Sequence, residues 1–306
     1  MAKQPDEPRA SAGHKLGQLV GDWFEQYFVL PMLEGVAHRL KLYLDHRFQK
    51  RTARGDKLIW RDEEGNAVDY DFVLELGGSD EQLGIPVAFL ESFWRRGSRH
   101  SKDKARDDSG KLLPMRLVHP TARFLGIVAG GDFTAPAREL IRSRNIDLFF
   151  VPKEKIIEAF RAVKLEMDYP DRATEEIKGQ LAAQFDRKMK PATRKRAANE
   201  LCRLVGQAAI SSYAARVSAA LGALPQEIRI GAMRSSKPKI FETINEATAF
   251  LDAPEFDFSA PVESYLYEIT YSDGSEFSQH VGTIDEMKTL NSRIQRLVAH
   301  VESLTD

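Results

Sequence analysis

Three continuous apolar runs constrain the fold of this chain more than any other feature. They are IPVAFLESF (85–93), ARFLGIVAG (122–130) and IDLFFVP (146–152). Unbroken apolar runs of this length are typical of strands in a sheet that is covered on both faces. Residues 133–144, between the last two runs, have the spacing of an amphipathic helix, so the order predicts a parallel strand-helix-strand crossover. The chain is therefore predicted to be α/β, with a central sheet flanked by helices.

The segments on either side of these runs complete the predicted architecture. Upstream, KLIW (57–60) and VDYDFVLEL (68–76) are rich in β-forming residues and are joined by the turn residues DEEGN, which predicts a hairpin. Downstream, residues 191–222 have the spacing of one long helix or two. A second hairpin leads to a final helix, for which Thr283 is the expected N-cap and Glu286 lies three residues on. No internal repeat is evident.

These patterns divide the chain into three predicted parts. Residues 1–14 are typical of a disordered lead-in, and residues 15–165 of an α/β core. Residues 166–306 predict a helical linker followed by a C-terminal α+β region. We expect that region to serve recognition, partner binding or dimerisation.

Composition excludes several classes of protein. The 306 residues carry a formal net charge of −1, which argues against a strongly basic packaging protein. The single cysteine, Cys202, cannot form an internal disulfide, and its helical apolar context indicates a packed small hydrophobe. No apolar run approaches the roughly 20 residues needed to span a bilayer. We therefore expect a soluble cytoplasmic protein that does not enter a membrane.

Acidic residues in three predicted elements follow one another in an order that suits a single metal site. Asp71 lies in the second strand of the predicted hairpin, and Glu91 lies at the end of the next strand. Neighbouring strands are about 4.8 Å apart, so both carboxylates can reach one hard cation. Glu25, in an upstream helix, is a candidate third ligand or a holder of metal-bound water. Asp69 competes with Asp71, because alternation places both on one face of a strand.

The order of these elements resembles the PD-(D/E)XK, or restriction-endonuclease-like, nuclease superfamily. The resemblance covers residues 16–163, about half of the chain, and it is closest to the Mrr-like core. It rests on an ordered set of short motifs: Gly21 and Phe24-Glu25 in a helix, VDYDFVL (68–74), a strand with Glu91, and then GDFT (131–134), AREL (137–140) and NIDLF (145–149). The resemblance implies a mixed central sheet flanked by helices, and Mg²⁺ or Mn²⁺ held by Asp71 and Glu91.

One position departs from the pattern of the superfamily. The resemblance implies a lysine two residues after the strand carboxylate, where this chain has Phe93. Such a lysine orients the attacking water and offsets transition-state charge. Some members supply the cation from the following helix, and here Lys104 is the favoured candidate and Lys102 the alternative. If no cation reaches the site, the chain is expected to keep the nuclease fold for binding and to lack cleavage activity.

Basic residues follow Glu91 closely and are candidate DNA contacts. Against this interpretation, a charged run is usually a solvated helix face, and three aspartates interrupt it. The candidate DNA contacts are Arg95, Arg96, Arg99, His100, Lys102 and Arg106. Trp94, within the run, is expected to pack in the core rather than stack on a base.

A second basic cluster precedes the long helix or helices of residues 191–222. It is interpreted either as a track for a DNA backbone or as a solvated linker. Its members are Arg187, Lys188, Lys190, Arg194, Lys195 and Arg196.

The leading hypothesis is a metal-dependent endonuclease that hydrolyses phosphodiesters of double-stranded DNA. A restriction or defence role follows from the resemblance alone. A homodimer is expected, because cutting both strands commonly needs two active sites. The alternative is a catalytically inactive DNA-binding protein that keeps the nuclease fold, and a third possibility is an interaction protein with incidental acidic strand ends.

Overall fold

A computed structural model describes residues 11–170, 172–232, 238–253 and 263–304. The structure is mixed α/β, with a mixed five-stranded sheet flanked by helices. The helices are α1 Ala12–Phe24, α2 Leu30–Arg39, α3 Ser101–Leu112, α4 Pro114–Val118, α5 Ala135–Arg142, α6 Lys153–Ala162, α7 Glu175–Lys188, α8 Pro191–Val205, α9 Gln207–Gly222, α10 Ile244–Asp252 and α11 Ile284–Glu302. The strands are β1 Tyr43–His46, β2 Ile59–Arg61, β3 Ala67–Asp69, β4 Phe72–Leu76, β5 Ile85–Arg95, β6 Phe124–Gly131, β7 Asp147–Pro152, β8 Pro225–Ala232, β9 Lys239–Phe241, β10 Tyr265–Tyr271 and β11 Glu276–Val281.

The central sheet has the strand order β1-β4-β5-β6-β7. β1 and β4 pair antiparallel, whereas β6 and β7 pair parallel, with Ile127 opposite Leu148. Helix α5 lies between β6 and β7 in sequence, so the predicted parallel crossover is confirmed. Every residue of β6 is buried, as its unbroken apolar run predicted.

The start of the chain is more regular than its sequence suggested. Residues 1–10 of the predicted lead-in lie outside the described residues. Ser11 caps α1 by accepting a hydrogen bond from the His14 main-chain N–H at 3.2 Å, so residues 12–14 are helical and that part of the prediction is wrong. A π-helical turn, Glu25–Val29, then separates α1 from α2 just before Pro31.

The predicted second strand of the first hairpin is divided in two. β2 and β3 pair as a separate two-stranded ribbon, and β3 ends at Asp69, two residues before β4 begins. Tyr70 at this bend is buried, its ring centroid lies 4.9 Å from that of Phe89, and its hydroxyl donates to the Lys111 carbonyl at 2.8 Å. Burial of this ring turns the chain, so Asp71 lies between strands and not within one.

Two compact units divide the chain, and both contain segments from its two halves. The described residues of the first unit lie within Met1–Gly35, Leu90–Gly110 and Gly126–Ala214. Those of the second lie within Val36–Phe89, Lys111–Leu125 and Ala215–Asp306. No helix in the described ranges is both long enough and apolar enough to cross a bilayer.

Aromatic packing builds the helical side of the first unit. The ring centroid of Trp23 lies 4.4 Å from that of Phe160, which in turn lies 5.8 Å from Phe185. The indole N–H of Trp23 also donates to the Arg194 carbonyl at 3.1 Å, which satisfies its one polar atom. One aromatic cluster therefore joins helices α1, α6 and α7, and the Trp23 hydrogen bond joins α8 to α1.

Residues 191–222 form two helices, one of the two alternatives left open by the sequence. Gly206 separates α8 from α9 and has a φ of +93°, a left-handed backbone conformation that favours glycine. The helix α8 therefore ends at Val205, and its amphipathic pattern resumes in α9 after this one residue.

A buried ion-pair network fixes the loop after β4 in the second unit. The Arg51 guanidinium is fully buried and donates to Asp45 and Glu75, each at 2.7 Å, and to the main-chain carbonyls of Ser79 and Gln82. Burial raises the pKa of Asp45, but hydrogen bonds from Arg54 and Arg51 outweigh burial and hold this pKa below its ordinary value. Removing one member would leave an uncompensated buried charge, which costs about 3–5 kcal/mol.

The C-terminal part of the second unit contains an internal repeat that the sequence did not reveal. β8-β9-α10 and β10-β11-α11 are two ββα copies, and their strands form one sheet in the order β11-β10-β8-β9. Both helices begin with a capping box: Thr243 and Thr283 accept from the main-chain N–H of Glu246 and Glu286, at 3.2 and 3.1 Å. The predicted Thr283 cap is thus confirmed, and its counterpart marks the earlier copy.

Candidate active site

Glu91 lies in the middle of β5 and not at its end, so its predicted position is wrong. The strand continues to Arg95, two residues beyond the apolar run, and Glu91 is only 3% exposed. Alternation along a strand places Glu91 on the same face as Phe93, about 6.7 Å along the strand. A carboxylate at such a buried position is costly unless a charge or hydrogen bonds compensate it.

Phe93, which occupies the position where a lysine was expected, has a cation over its ring. It is buried and packs edge-on against Phe133, with ring centroids 5.2 Å apart. The Lys104 ammonium on α3 lies 5.2 Å from the Phe93 ring centroid, within cation–π range. Helix α3 therefore brings a positive charge to the face of β5 that carries Glu91.

Asp108 holds the Lys104 side chain in this position. Its carboxylate accepts from the Lys104 ammonium at 2.6 Å, one helical turn along α3, and the aspartate is itself buried. Lys102 is exposed instead, since two residues rotate a helical side chain by about 200°. Sequence reasoning treated Asp108 only as a dilution of positive charge. The signal that could have identified its role is its spacing of four residues from Lys104.

Asp71 belongs to the second compact unit. Its carboxylate lies 3.6 Å from the Arg47 guanidinium, and the side chain is 19% exposed. Asp69, its competitor, is exposed at the end of β3. Because the chain bends at Tyr70, strand alternation does not relate the two aspartates, and Asp71 is the more enclosed of the pair.

Glu25 is the first residue of the π-helical turn and is buried. Among the described residues, no three His, Cys, Asp or Glu side chains form a group that could hold a metal ion. Glu25, Asp71 and Glu91 are thus not assembled into a three-ligand set. Mg²⁺ commonly uses one or two carboxylates together with waters and substrate phosphates, so the carboxylates of Asp71 in the second unit and of Glu91 in the first are each chemically suited to this ion.

Much of the positive charge after β5 has a local partner. The Arg96 guanidinium stacks 4.2 Å from the Tyr169 ring centroid, donates to the Tyr169 carbonyl and lies 3.4 Å from Asp168. On α3, Asp103 lies 3.0 Å from His100 and 3.7 Å from Arg106. The remaining candidates are placed as follows: Arg99 and Lys102 are exposed, and Arg95 is half-buried.

Trp94 is half-buried among mainly apolar side chains and does not belong to the fully buried core. It lines a small cleft of the first unit together with Leu16, Val20 and Phe160.

The GDFT segment (131–134) fixes the end of β6 against β5. The Asp132 main-chain N–H donates to the Arg95 carbonyl at 2.8 Å, and the Asp132 carboxylate pairs with Lys153. Gly131 has a φ of +107°, and a Cβ there would lie 1.8 Å from the Arg95 carbonyl oxygen. Only glycine fits this close approach.

Comparison with known proteins gives no relative: no family model matches the chain, and neither the curated proteins nor the solved structures contain a match.

Proposed function

We propose that this protein is a metal-dependent endonuclease that hydrolyses phosphodiester bonds of double-stranded DNA. The observation that carries the proposal is the Lys104 ammonium over the Phe93 ring. It supplies a cation at the strand position where the nuclease pattern requires a lysine, on the face that carries a buried carboxylate.

The nuclease pattern of the sequence assigns the divalent ion, Mg²⁺ or Mn²⁺, to Asp71 and Glu91. Such an ion, when bound, neutralises charge on the phosphate and lowers the pKa of its bound water. Both side chains provide carboxylate oxygens, which these ions prefer. Glu25 remains a candidate assisting carboxylate.

The chain itself contributes a fixed cation. Lys104 would donate hydrogen bonds to a non-bridging phosphate oxygen or to the attacking water, and so offset the negative charge that develops in the transition state. Asp108 fixes the ammonium group through its 2.6 Å hydrogen bond, so little reorganisation is required when DNA binds. Lys102, exposed on another side of α3, would contribute to DNA binding only.

A DNA-binding protein without cleavage activity is the second candidate. It is favoured by the ion pair that already occupies one candidate metal ligand, Asp71 with Arg47. If this pair persists when DNA is bound, the Asp71 carboxylate is not available to a metal ion. Homodimerisation and a restriction or defence role belong to the nuclease proposal alone.

Cleavage of supercoiled plasmid tests the proposal. We expect nicking in Mg²⁺ or Mn²⁺ that is abolished by a chelator, by Glu91→Gln and by Asp71→Asn. The matched control is Asp69→Asn, which removes a neighbouring exposed carboxylate and should cleave as the wild type does. Melting temperatures of all variants establish that they fold. DNA binding without nicking in any metal would refute the nuclease and support the second candidate.

A further inference from the structure

A second group of cations lies outside the candidate active site, at the junction of α7 and α8 in the first unit. Its exposed members, called here the α7–α8 basic surface, are Arg187, Lys188, Lys190, Lys195 and Arg196. The other exposed residues between 187 and 196 are Pro191 and Ala192. The surface therefore carries five positive charges and no acidic or bulky apolar side chain.

Nearby carboxylates are paired with cations outside this surface. Asp186 lies 3.1 Å from Lys15, and Glu200 lies 2.7 Å from Arg203. Two cations of the surface bind main-chain carbonyls instead: Lys188 donates to Lys164 at 2.7 Å, and Lys190 donates to Asp186 at 3.1 Å. A neutral carbonyl orients an ammonium group but leaves its charge uncompensated.

The scaffold beneath the surface is firmly packed. Arg194, at the start of α8, donates to the Met189 carbonyl at 2.7 Å, and its guanidinium lies 5.9 Å from the rings of both Tyr27 and Phe185. Its own carbonyl accepts the Trp23 indole N–H. The cations therefore extend from a fixed backbone, and binding a ligand costs little ordering of the chain.

We propose that the α7–α8 basic surface binds the phosphate backbone of duplex DNA without reading its sequence. Uncompensated cations on a helix match a regular polyanion, and such cations position a protein on DNA. An anionic membrane is disfavoured, because helices that bind lipid add Trp, Phe or Leu side chains. The inference deepens the proposed function and rests on it, since it adds a second binding surface for the same DNA and assigns α7–α8 to substrate binding.

The test is the affinity for a fluorescent duplex of mixed sequence, measured in chelator over a range of salt. In the variant Lys188→Gln/Lys190→Gln/Lys195→Gln/Arg196→Gln, we expect affinity to fall at least about 10-fold at 0.1 M salt. The slope of log K against log salt should flatten by up to about 3.6, near 0.9 for each phosphate that is no longer neutralised. Circular dichroism and melting temperature verify that the variant folds, and Lys195→Gln/Arg196→Gln should give about half of the change in slope.

The matched control removes four exposed cations that already have carboxylate partners, Lys50, Arg142, Arg161 and Arg229, each replaced by Gln. We expect its affinity and slope to stay within about 2-fold of wild type. The inference is overturned if the control loses as much duplex affinity as the α7–α8 variant does, or if the salt slope of the α7–α8 variant equals that of the wild type. The inference is also overturned if the wild type binds phosphatidylglycerol vesicles and the four-residue α7–α8 variant binds the duplex as tightly as the wild type does.

The inference and the proposed function can fail separately. If plasmid is never cleaved but the α7–α8 variant loses affinity, the nuclease is refuted while the binding surface stands. If plasmid is cleaved but that variant binds normally, only the binding surface is refuted.

Discussion

Two basic regions of the first unit, helix α3 and the α7–α8 basic surface, differ in the positions of their carboxylates. On α3, Asp103 and Asp108 pair with Arg106 and Lys104. On the α7–α8 basic surface, neither nearby carboxylate pairs with the cations, because Asp186 and Glu200 pair elsewhere. The numbers of lysines and arginines in the sequence do not distinguish the two regions.

The difference separates two uses of positive charge. A cation held by a neighbouring carboxylate has a fixed position but a weak long-range electrostatic field. It therefore suits an active site, where one charged group must be held at a defined point. Uncompensated cations produce a field that reaches about a Debye length, near 10 Å at 0.1 M salt, and this suits the capture of a polyanion. We therefore infer that α3 serves to position Lys104 and that the α7–α8 basic surface serves to attract DNA.

The largest expected effect is the loss of cleavage when Lys104 is replaced by Ala. We expect plasmid nicking to fall about 100- to 1000-fold, because one fixed donor to transition-state charge is removed. Duplex affinity in chelator should change less than about 2-fold, since Lys104 is already paired with Asp108. The matched control is Lys102→Ala, an exposed lysine of the same helix. Equal rates for the two variants would contradict the assignment of α3.

Carboxylates introduced on α8 should pair with its cations, as the aspartates of α3 pair with theirs, and so weaken the attraction to DNA. Ala192→Glu/Asn199→Glu places acidic groups three and four residues from Lys195 and Arg196, and both sites are exposed. We expect duplex affinity to fall about 3- to 10-fold at 50 mM salt and the deficit to shrink as salt rises. The control is Ala192→Gln/Asn199→Gln, which adds similar side chains without charge. If the loss of duplex affinity persisted at high salt, it would result from a steric effect and not from a weaker electrostatic field.

The reverse change on α3 is expected to have the smallest effect. Asp103→Asn/Asp107→Asn removes two exposed carboxylates and leaves Asp108 paired with Lys104. We expect duplex affinity to rise about 2- to 3-fold at 50 mM salt, with little change in the rate of cleavage. Titration of both proteins with the same duplex measures this gain. No gain, with a normal melting temperature, would show that α3 faces away from DNA.

The parts of the fold that sequence predicted depend on short-range regularity. The apolar runs of β5, β6 and β7 and the spacing of α5 follow from burial, which acts on each segment separately. The Thr283 cap follows from hydrogen bonds that span four residues. Such features depend on residues that are close in sequence, so they could be predicted, and the structure contains them.

The parts that sequence missed depend on residues far apart in the chain. The bend before Asp71 exists because Tyr70 packs on Phe89 and donates to Lys111, and both partners lie outside the predicted hairpin. The repeat of ββα copies was missed because its two sequences share little beyond the capping boxes. At the candidate site, Phe93 and Lys104 meet only through the packing of α3 on β5.

A polar chain inside the C-terminal repeat couples the folding of its two copies. The Tyr267 hydroxyl donates to Asn291 at 2.7 Å, and the Asn291 amide donates to Thr248 at 2.8 Å, so the chain links both ββα copies. Only the bond from the Asn291 amide crosses between the copies, so without α10 this buried amide would lose its Thr248 partner. A protein cut between α10 and β10 should therefore regain this hydrogen bond only when both pieces are mixed.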